Sequence, residues 1–231
     1  MIEVYNGNFR DLLFDIIRNN ADREIIVVSD PPFNIGYHYK NYKDNLSEEQ
    51  YYELMAQAFS LTPSVIIHYP EELYKIAFCI GKSPEKVVSW VYNSNTRKQH
   101  RDIAFFGVKP DFSKVRQPYK NPNDKRVRAL IEKGYKGSRL YDWWNINQVK
   151  NVSKEKTAHP CQMPVEVMKN IIGILPDDVL IVDPFCGSGT TGVACALLGR
   201  DFIGIDIDKE YCEIAKNRIE GVMNERAQGL L

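Results

Sequence analysis

The stretch most suggestive of chemistry is D-P-P-F at 30–33. It follows the apolar, β-branched run E-I-I-V-V at 24–28, which predicts a buried strand that ends beside Asp30. A carboxylate, a backbone stiffened by two prolines and the flat ring of Phe33 therefore stand in consecutive positions at a strand end. We interpret these residues as a candidate catalytic motif. The alternative is a strand-terminating turn with an Asx-type cap.

A second informative stretch, V-L-I-V-D-P-F-C-G-S-G-T-T-G, occupies 179–192. An apolar run leads into glycines and then into a helix-like segment, and the glycines at 187, 189 and 192 satisfy G-x-G-x-x-G. Asp206 follows Gly187 by 19 residues, at the end of F-I-G-I-D. That spacing suits a carboxylate that bonds ribose hydroxyls, so the pattern predicts a cofactor with an adenosine part.

A nicotinamide dehydrogenase is the first rival, and the residues before the glycines argue against it. In a dinucleotide site the first glycine directly follows the strand, so that the pyrophosphate lies on the helix N-terminus. Here Asp183, Pro184 and Phe185 intervene. The carboxylate of Asp183 would repel a phosphate, but it suits a cofactor that carries positive charge and no phosphate. S-adenosylmethionine is such a molecule.

The elements that position these motifs alternate along the chain. Short apolar runs predict strands at 2–5, 24–28, 64–67, 86–92, 102–108, 178–182 and 202–205. Amphipathic segments predict helices at 9–19, 47–60, 164–174, 190–198 and 209–219. Alternation of this kind predicts an α/β fold with a doubly wound, mostly parallel, Rossmann-like sheet.

The position of the glycine loop predicts a circularly permuted sheet. Such a loop normally follows the first strand, yet only about 40 residues follow it here, too few for a doubly wound sheet. The missing strands must then come from the N-terminal half. In an unpermuted sheet a further strand would follow the helix at 209–219. Strand 2–5 would occupy the position of that strand. Both motif loops would lie at the carboxyl edge of the sheet, where ligands bind in such folds.

Charge is unevenly distributed although the net charge is zero. Residues 95–140 contain 13 Lys/Arg and 4 Asp/Glu, a local charge of +9. We interpret this block as a target-recognition insertion with a surface for a polyanion, between a catalytic half at 1–94 and a cofactor-binding half at 141–231. A solvated, lysine-rich insertion is the alternative.

Composition excludes several classes of protein. No apolar run approaches the ~20 residues of a membrane helix, and the N-terminus lacks the basic and apolar regions of a signal peptide. The five cysteines, at 79, 161, 186, 195 and 212, contain no C-x-x-C pair. They predict free thiols in a cytoplasmic protein, with no disulfides and no metal site.

Taken in order, the motifs resemble those of the β-group amino-methyltransferases of DNA. The chain has D-P-P-F at 30–33, H-P-C-Q-M-P at 159–164 and D-P-F-C-G-S-G-T at 183–190. The segment D-W-W-N-I at 142–146 is similar to the aromatic stretch that leads into the second motif. Met163 and Cys161 depart from the lysine and threonine that are usual in that motif.

The resemblance implies S-adenosylmethionine as cofactor and an exocyclic base amine as methyl acceptor. Asp30 and the carbonyl of Pro31 would accept the two N–H bonds of the amine, Pro32 would hold the backbone, and Phe33 would stack on the base. Asp as the first motif residue usually accompanies adenine N6. The alternatives are N4 of cytosine, an amine on RNA, and a non-catalytic DNA-binding subunit. The base would be flipped out of the duplex.

The resemblance also assigns further residues. The cofactor-binding candidates are Asp183, Phe185, Gly187, Ser188, Gly189, Thr190, Asp206, His159 and Gln162. Asn8 and Tyr39 are candidate contacts to the target base, although Asn8 could equally cap the helix at 9–19. From position alone, His68 is expected to be structural. Trp143 and Trp144 are expected to pack in the core, with stacking on a base or the cofactor as the alternative.

Double-stranded DNA is the expected partner. A second copy of the chain and a cognate restriction endonuclease are further candidate partners. The candidate phosphate contacts are Arg97, Lys98, Arg101, Lys114, Arg116, Lys125, Arg126 and Arg128.

Overall fold

The computed structural model of the chain describes residues 1–150, 153 and 155–230. Within them the strands are β1 (Ile2–Asn6), β2 (Ile25–Ser29), β3 (Ser64–His68), β4 (Lys86–Val91), β5 (His100–Phe106), β6 (Arg116–Gln117), β7 (Ser138–Arg139), β8 (Trp143–Asn145), β9 (Leu180–Asp183) and β10 (Asp201–Asp206). The helices are α1 (Phe9–Asn19), α2 (Glu48–Phe59), α3 (Pro70–Cys79), α4 (Lys125–Glu132), α5 (Val165–Gly173), α6 (Thr190–Leu198) and α7 (Lys209–Ala227).

The larger sheet has the order β1-β10-β9-β2-β3-β5-β4-β8, with β5 antiparallel to both of its neighbours and the other pairs parallel. Strand β1 pairs with β10, from Ile2 opposite Phe202 to Asn6 opposite Asp206. The predicted permutation is confirmed, because the first strand of the chain completes the C-terminal half of the sheet. Strand β2 joins the two halves by pairing with β9.

Helices cover both faces of the sheet, as the predicted doubly wound fold requires. One apolar layer contains buried residues of α1, α2 and α3, including Leu13, Met55 and Ile76. The other contains buried residues of α5, α6 and α7, including Ile171 and Ile219. Strand β2 is buried along its whole length, because it lies between the two layers and between two neighbouring strands.

Helix α3 is not among the predicted helices. It begins at Pro70, whose fixed φ and missing N–H are tolerated in a first helical turn. Helix α2 begins as predicted: Ser47 and Gln50 form a capping box in which each side chain bonds the backbone N–H of the other residue.

The boundary predicted at residue 95 differs from the structure. Strand β5 lies inside the basic block, yet it pairs with β3 and β4 in the middle of the sheet. Burial of residues 103–106 requires those strand neighbours on both sides. The part of the chain that leaves the sheet therefore begins after Phe106. It holds the short pair β6–β7 and helix α4, which buries none of its own residues.

The two tryptophans that follow this segment have different surroundings. Trp144 is buried, and its Nε1 donates to the carbonyl of Tyr141, which confirms core packing. Trp143 is 44% exposed, and the Nζ of Lys120 lies 4.0 Å from its ring centre. For Trp143 the expectation of core packing was wrong, because β8 is the last strand of the sheet and one of its faces meets solvent.

Among the helices described, none is long and apolar enough to span a membrane.

Candidate functional site

A cavity of about 560 Å³ opens where strands β2, β9 and β10 end. The catalytic motif at 30–33 contributes to its wall, and so do Phe185, Gly187 and Asp206 from the cofactor half. The two motifs are more than 150 residues apart in the chain. They meet because β2 and β9 run in parallel as neighbours, so their carboxyl ends lie together.

Asp30 and Arg101 form an ion pair in this cavity. The Nη1 atom of Arg101 lies 3.4 and 3.3 Å from the two carboxylate oxygens of Asp30, and each side chain is only 16% exposed. Burial raises the pKa of Asp30 to about 6, although the neighbouring guanidinium acts to lower it. Arg101 was predicted to contact DNA phosphates. The structure places it differently: Arg101 lies in β5, and its side chain reaches into the cavity beside Asp30.

Phe33 is held by an aromatic cluster. The ring of His68 stacks on it at a centroid distance of 4.1 Å and an angle of 27°, and Tyr69 meets it edge-on at 4.9 Å. The guanidinium carbon of Arg101 lies 4.6 Å from the centre of the Phe33 ring. The ring is thereby fixed in place, as a surface for stacking requires.

A chain of hydrogen bonds fixes the backbone of the catalytic motif. The N–H of Tyr69 donates to His68 Nδ1, and His68 Nε2 lies 2.7 Å from the Tyr51 hydroxyl, which donates to the carbonyl of Pro32. This pattern needs a neutral imidazole protonated at Nε2. Burial, aided by nearby cations, lowers the pKa of His68 to about 3. The expected structural role of His68 thus has a specific form: it supports Pro32 and Phe33.

The glycine loop meets the end of β10 at Asp206. One carboxylate oxygen of Asp206 accepts the N–H of Gly187 at 2.9 Å, and the other accepts the N–H of Asp208 at 2.8 Å. Gly187 and Gly189 have φ angles of 49° and 75°, a region that favours glycine. A Cβ at Gly189 would lie 2.6 Å from the Cβ of Ala215. The glycines therefore allow the loop to pack on α7 and to place Asp206 at the cavity.

His159 covers the glycine loop. Its ring meets Tyr211 edge-on at 4.4 Å, and a Cβ at Gly187 would lie 2.8 Å from its Nε2. Burial lowers the pKa of His159 to about 4, so the ring is neutral near pH 7. Its Nδ1 is buried and has no hydrogen-bond partner within the described part of the chain. His159 is one of the residues that line the cavity.

The loop that presents His159 is tied down by its own side chains. Gln162 Oε1 accepts from the N–H and the hydroxyl of Thr157, and its Nε2 donates to the carbonyl of Glu155 at 2.6 Å. The ammonium of Lys156 bonds the carbonyl of His159. Gln162 is therefore placed to position the loop, whereas the sequence predicted that it would contact the cofactor.

Asp183 does not line the cavity. Its oxygens accept from the hydroxyls of Ser29 and Thr191 and from the N–H of Phe185. Burial raises the pKa of Asp183 to about 6 against the effect of these bonds. Asp183 was predicted to contact the cofactor directly. In the structure it instead connects β2, β9 and α6 behind the site.

Ser188 and Thr190 also lie behind the cavity. Arg218 of α7 donates to the carbonyl and hydroxyl of Ser188 and to the hydroxyl of Thr190. Phe185 does line the cavity, and its ring meets Phe9 at 4.9 Å. Of the predicted cofactor residues, the structure brings Phe185, Gly187, Asp206 and His159 together on the cavity wall.

Asp44 organises the loop at 34–46, which contains the predicted base contact Tyr39; the role of Asp44 itself was not predicted. Its buried carboxylate accepts the N–H groups of Asn34, Ile35 and Tyr37. The far side of the loop is joined to α7 and its N-cap: Asn41 donates to Asp208 at 2.9 Å, and Lys40 pairs with Glu210 at 2.6 Å. This loop therefore covers the cavity from the catalytic half to the cofactor half. Both contacts that join the loop to α7 and its N-cap are between side chains.

The two predicted base contacts both line the cavity. The side chain of Asn8 accepts the N–H of Arg10, so it caps α1, which was the alternative for this residue. Burial, with nearby Cys161 and Asp30, raises the pKa of Tyr39 above its usual range. The Tyr39 hydroxyl is therefore a neutral hydrogen-bonding group beside the catalytic carboxylate.

The other predicted phosphate contacts lie at exposed positions, and some of them form ion pairs. Lys98 pairs with Glu71 at 2.5 Å and lies 3.6 Å from the ring centre of Tyr69. Lys114 pairs with Asp177 at 2.7 Å. The remaining candidates also lie at exposed positions, namely Arg97, Arg116, Lys125, Arg126 and Arg128.

Comparison with known proteins gives a match over most of the chain. A family model named for N6 and N4 methyltransferases and described as DNA methylase matches residues 25–217. The type II methyltransferase M.HpaI of Haemophilus parainfluenzae is 28% identical over 236 residues, which cover 90% of this chain and 72% of that protein. The DNA adenine methyltransferase YhdJ of Escherichia coli (strain K12) is 25% identical over 260 residues, 95% of this chain and 84% of that protein.

A solved structure shares the fold. The crystal structure of an M1.HpyAVI–SAM complex superposes with a TM-score of 0.60 at 23% identity, over 95% of this chain and all of that one. The doubly wound arrangement of the sheet and helices is thus common to both molecules.

Proposed function

The chain belongs to the family described as DNA methylase, and we propose that it transfers a methyl group from S-adenosylmethionine to N6 of adenine in double-stranded DNA. The observation that carries this proposal is the shared cavity. Asp30 and Phe33 of the catalytic motif line the same cavity as Gly187 and Asp206 of the glycine loop. One pocket therefore presents an acceptor for an amine beside the elements that suit an adenosine cofactor.

The residues on the cofactor side fit S-adenosylmethionine, which supplies an electrophilic methyl group on a positively charged sulfur. Asp206 has lone pairs left for ribose hydroxyls, since each of its oxygens accepts one backbone N–H. His159 offers a buried Nδ1 with no partner in the described residues. Asp208 also lines the cavity and adds negative charge, which favours a cation over a phosphate-bearing cofactor.

The catalytic motif is built to make an aromatic amine a better nucleophile. The lone pair of such an amine is delocalised into its ring. If Asp30 and the Pro31 carbonyl accept its two N–H groups, the nitrogen becomes more tetrahedral and the lone pair is freed. The Pro32 carbonyl already accepts from Tyr51, which fixes the backbone beside Pro31. The anionic carboxylate then favours the positive charge that develops on nitrogen during transfer.

Adenine is the base favoured by two lines of support. The motif begins with Asp30, and Asp in this position usually accompanies adenine in the family that the sequence resembles. The relative YhdJ is named as an adenine methyltransferase. The family model is named for both N6 and N4 amines, so cytosine N4 is the competing acceptor.

A duplex substrate would bring its base to Asp30 by flipping. Asp30 and Phe33 lie within the cavity, where a base that stays stacked in a duplex cannot reach them. The exposed arginines and lysine of α4 are candidates to hold the phosphates. A second copy of the chain and a cognate restriction endonuclease are the further partners that we infer. Light scattering tests for the second copy, and a challenge of modified DNA with restriction enzymes tests for the endonuclease.

The proposed function is tested by incubating the protein with duplex DNA and labelled S-adenosylmethionine, followed by mass spectrometry of the nucleosides. We expect label in N6-methyladenine. Asp30→Ala should abolish transfer while calorimetry shows unchanged cofactor affinity, and Asp22→Ala, at an exposed position, is the matched control. Label in N4-methylcytosine would assign the other base, label on RNA alone would change the substrate class, and full activity in Asp30→Ala would overturn the mechanism.

A further inference from the structure

Arg101 makes the two contacts that the target base is proposed to make. Its Nη1 donates to the Asp30 carboxylate at 3.3–3.4 Å. Its guanidinium carbon lies 4.6 Å from the centre of the Phe33 ring. A guanidinium is planar and rich in N–H donors, so it resembles the amine-bearing edge of a base in both shape and hydrogen bonding.

Phe33 has only one face to offer a base. The imidazole of His68 stacks on it at a centroid distance of 4.1 Å and an angle of 27°. The guanidinium carbon of Arg101 also lies over this ring, 4.6 Å from its centre. We infer that Arg101 covers the face that His68 leaves open, because two groups this close to the ring centre would crowd one face. A base that stacks on Phe33 must therefore take the place of the guanidinium.

The charge of Arg101 leads to the same conclusion. A carboxylate already paired with a cation is a poor stabiliser of the positive charge that develops on a methylated amine, because the guanidinium repels that charge. Departure of Arg101 would remove this repulsion, and it would also raise the pKa of Asp30, because the guanidinium acts to lower it. The ion pair thus suits a resting enzyme and opposes the transfer step.

The pair is held loosely enough to be displaced. Its N–O distances of 3.3–3.4 Å are long for a charge-assisted hydrogen bond. The Nε of Arg101 is buried and has no hydrogen-bond partner among residues 1–150, 153 and 155–230. A buried donor without a partner is unfavourable, so Arg101 lacks part of the stability that a fully bonded guanidinium would have.

We propose that Arg101 is an internal substitute for the target base, which occupies the base position in the DNA-free enzyme and is displaced from Asp30 and Phe33 when the flipped base enters. This role rests on the proposed function. Arg101 is then a positioning residue: it keeps the pocket filled and sets how strongly a base must bind to enter. A base without an exocyclic amine cannot replace its N–H donation to Asp30.

The pH dependence of the reaction separates this role from others. Arg101 from β5 acts on the pKa of Asp30. Asp30 in turn raises the pKa of the other titratable groups near it, namely Tyr39 from the loop at 34–46, Cys161 from the His159 loop, Tyr92 after β4 and Asp183 at the end of β9. Among all these groups Arg101 carries the opposite charge and lowers the pKa of Asp30. Displacement should therefore be visible as a difference between free and DNA-bound enzyme.

The experiment compares wild type, Arg101→Met and Arg101→Lys on a duplex that contains the methylated site, identified beforehand by methylation-aware sequencing. The duplex carries 2-aminopurine at the target position for binding and adenine for turnover. For Arg101→Met we expect a several-fold lower KM for DNA and a higher 2-aminopurine fluorescence in the complex. The acid limb of kcat/KM, which reports the free enzyme, should move up by about one pH unit or more, while the acid limb of kcat stays in place.

Arg101→Lys separates charge from stacking. It keeps the cation but not the planar group, so the limb of kcat/KM should stay near its wild-type position while the fluorescence still rises. Arg101→Lys also tests the proposal if Arg101→Met does not fold, which circular dichroism and cofactor calorimetry would reveal. An equal shift of both acid limbs, or weaker DNA binding with lower fluorescence in the variants, would overturn the role of Arg101. A wild type that methylates no duplex would instead overturn the proposed function.

Discussion

Asp206 is the proposed ribose contact: it accepts two backbone N–H groups and lines the cavity. We expect Asp206→Ala to weaken S-adenosylmethionine binding by about 1.5–3 kcal/mol, the contribution of hydrogen bonds to a charged group. The measurement is isothermal titration calorimetry. Asp201→Ala, at the opposite end of the same strand, is the control and should leave the affinity unchanged. Equal losses in both variants would mean that the effect comes from the strand and not from the ribose contact.

A second prediction for a single residue concerns Asp183 and the pH dependence of the stability of the fold. Its pKa is raised from 3.8 to about 6 in the folded protein, so below pH 6 the folded chain binds a proton that the unfolded chain has already released. This carboxyl therefore stabilises the fold most at low pH, and the contribution is lost as the pH rises from about 4 to 6. Asp183→Asn removes the titration, and Ser29 and Thr191 can accept from the new amide.

We expect the stability of Asp183→Asn relative to wild type to rise by about 2 kcal/mol between pH 4.5 and 7. Urea unfolding of both proteins across that range measures the difference. A difference that does not change with pH would mean that the folded-state pKa of Asp183 is not raised.

At the residue scale, the sequence identified the residues whose role is set by local pattern. Asp30, Phe33, Gly187 and Asp206 were predicted and line one cavity. The place of Arg101 was not predicted, because it depends on strand pairing: only the antiparallel neighbours of β5 bring it beside Asp30.

The sequence predicted cofactor contacts for Asp183, Ser188 and Gln162 because they belong to the two cofactor motifs. In each motif some residues face the cavity and others hold the loop. Spacing alone does not separate these two kinds of residue. The support of the catalytic motif by His68 and Tyr51 was missed as well, because its members come from β3 and α2, distant in the chain.

Among the elements, α4 is the one whose function remains a prediction. It is basic, buries none of its own residues, and carries Arg126 with a side chain that is 94% exposed. If Arg126 and Arg128 contact phosphates, changing both to glutamate should reduce the slope of log K against log salt by about 2 units. Fluorescence anisotropy from 50 to 200 mM salt gives the slope.

The matched control for this pair is Arg18→Glu with Lys169→Glu, which changes the charge equally at two exposed positions on α1 and α5. A reduced slope in the control as well would show that overall charge, and not α4, attracts DNA. An unchanged slope in the α4 variant would make this helix a solvated face.

Most strands and helices could be predicted because periodicity and capping are local signals. The capping box of α2 and the β-branched composition of β2 are examples. The basic block was assigned as one insertion because charge was counted along the sequence, whereas β5 within it is fixed by hydrogen bonds to strands on either side. The contacts of the loop at 34–46 with α7 involve residues about 170 positions apart, and no local pattern marks them.

For the molecule as a whole, the sheet makes the cofactor site part of one cooperative unit. Strand β2 joins both halves, so a ligand of the cofactor half should stabilise the entire sheet. At 100 times its dissociation constant, S-adenosylmethionine should add about 2.7 kcal/mol. For a chain of 231 residues this corresponds to an increase in Tm of about 5–10 °C.

Scanning calorimetry with and without cofactor measures this increase. Asp206→Ala, at the same cofactor concentration, should lose most of it. Two separate transitions, of which only one responds to the cofactor, would contradict a single unit and would show that the halves unfold independently.

The permuted strand order also has a consequence for biosynthesis. Strand β2 emerges from the ribosome about 150 residues before its neighbour β9, and β1 has no partner in the sheet until β10 is made. At roughly 5–20 residues per second, the apolar β2 keeps one edge unpaired for about 10–30 s. An unpaired, hydrophobic edge is a template for pairing with another nascent chain. We expect translation speed and chaperone supply, more than the stability of the finished sheet, to govern how much of the chain reaches the native state.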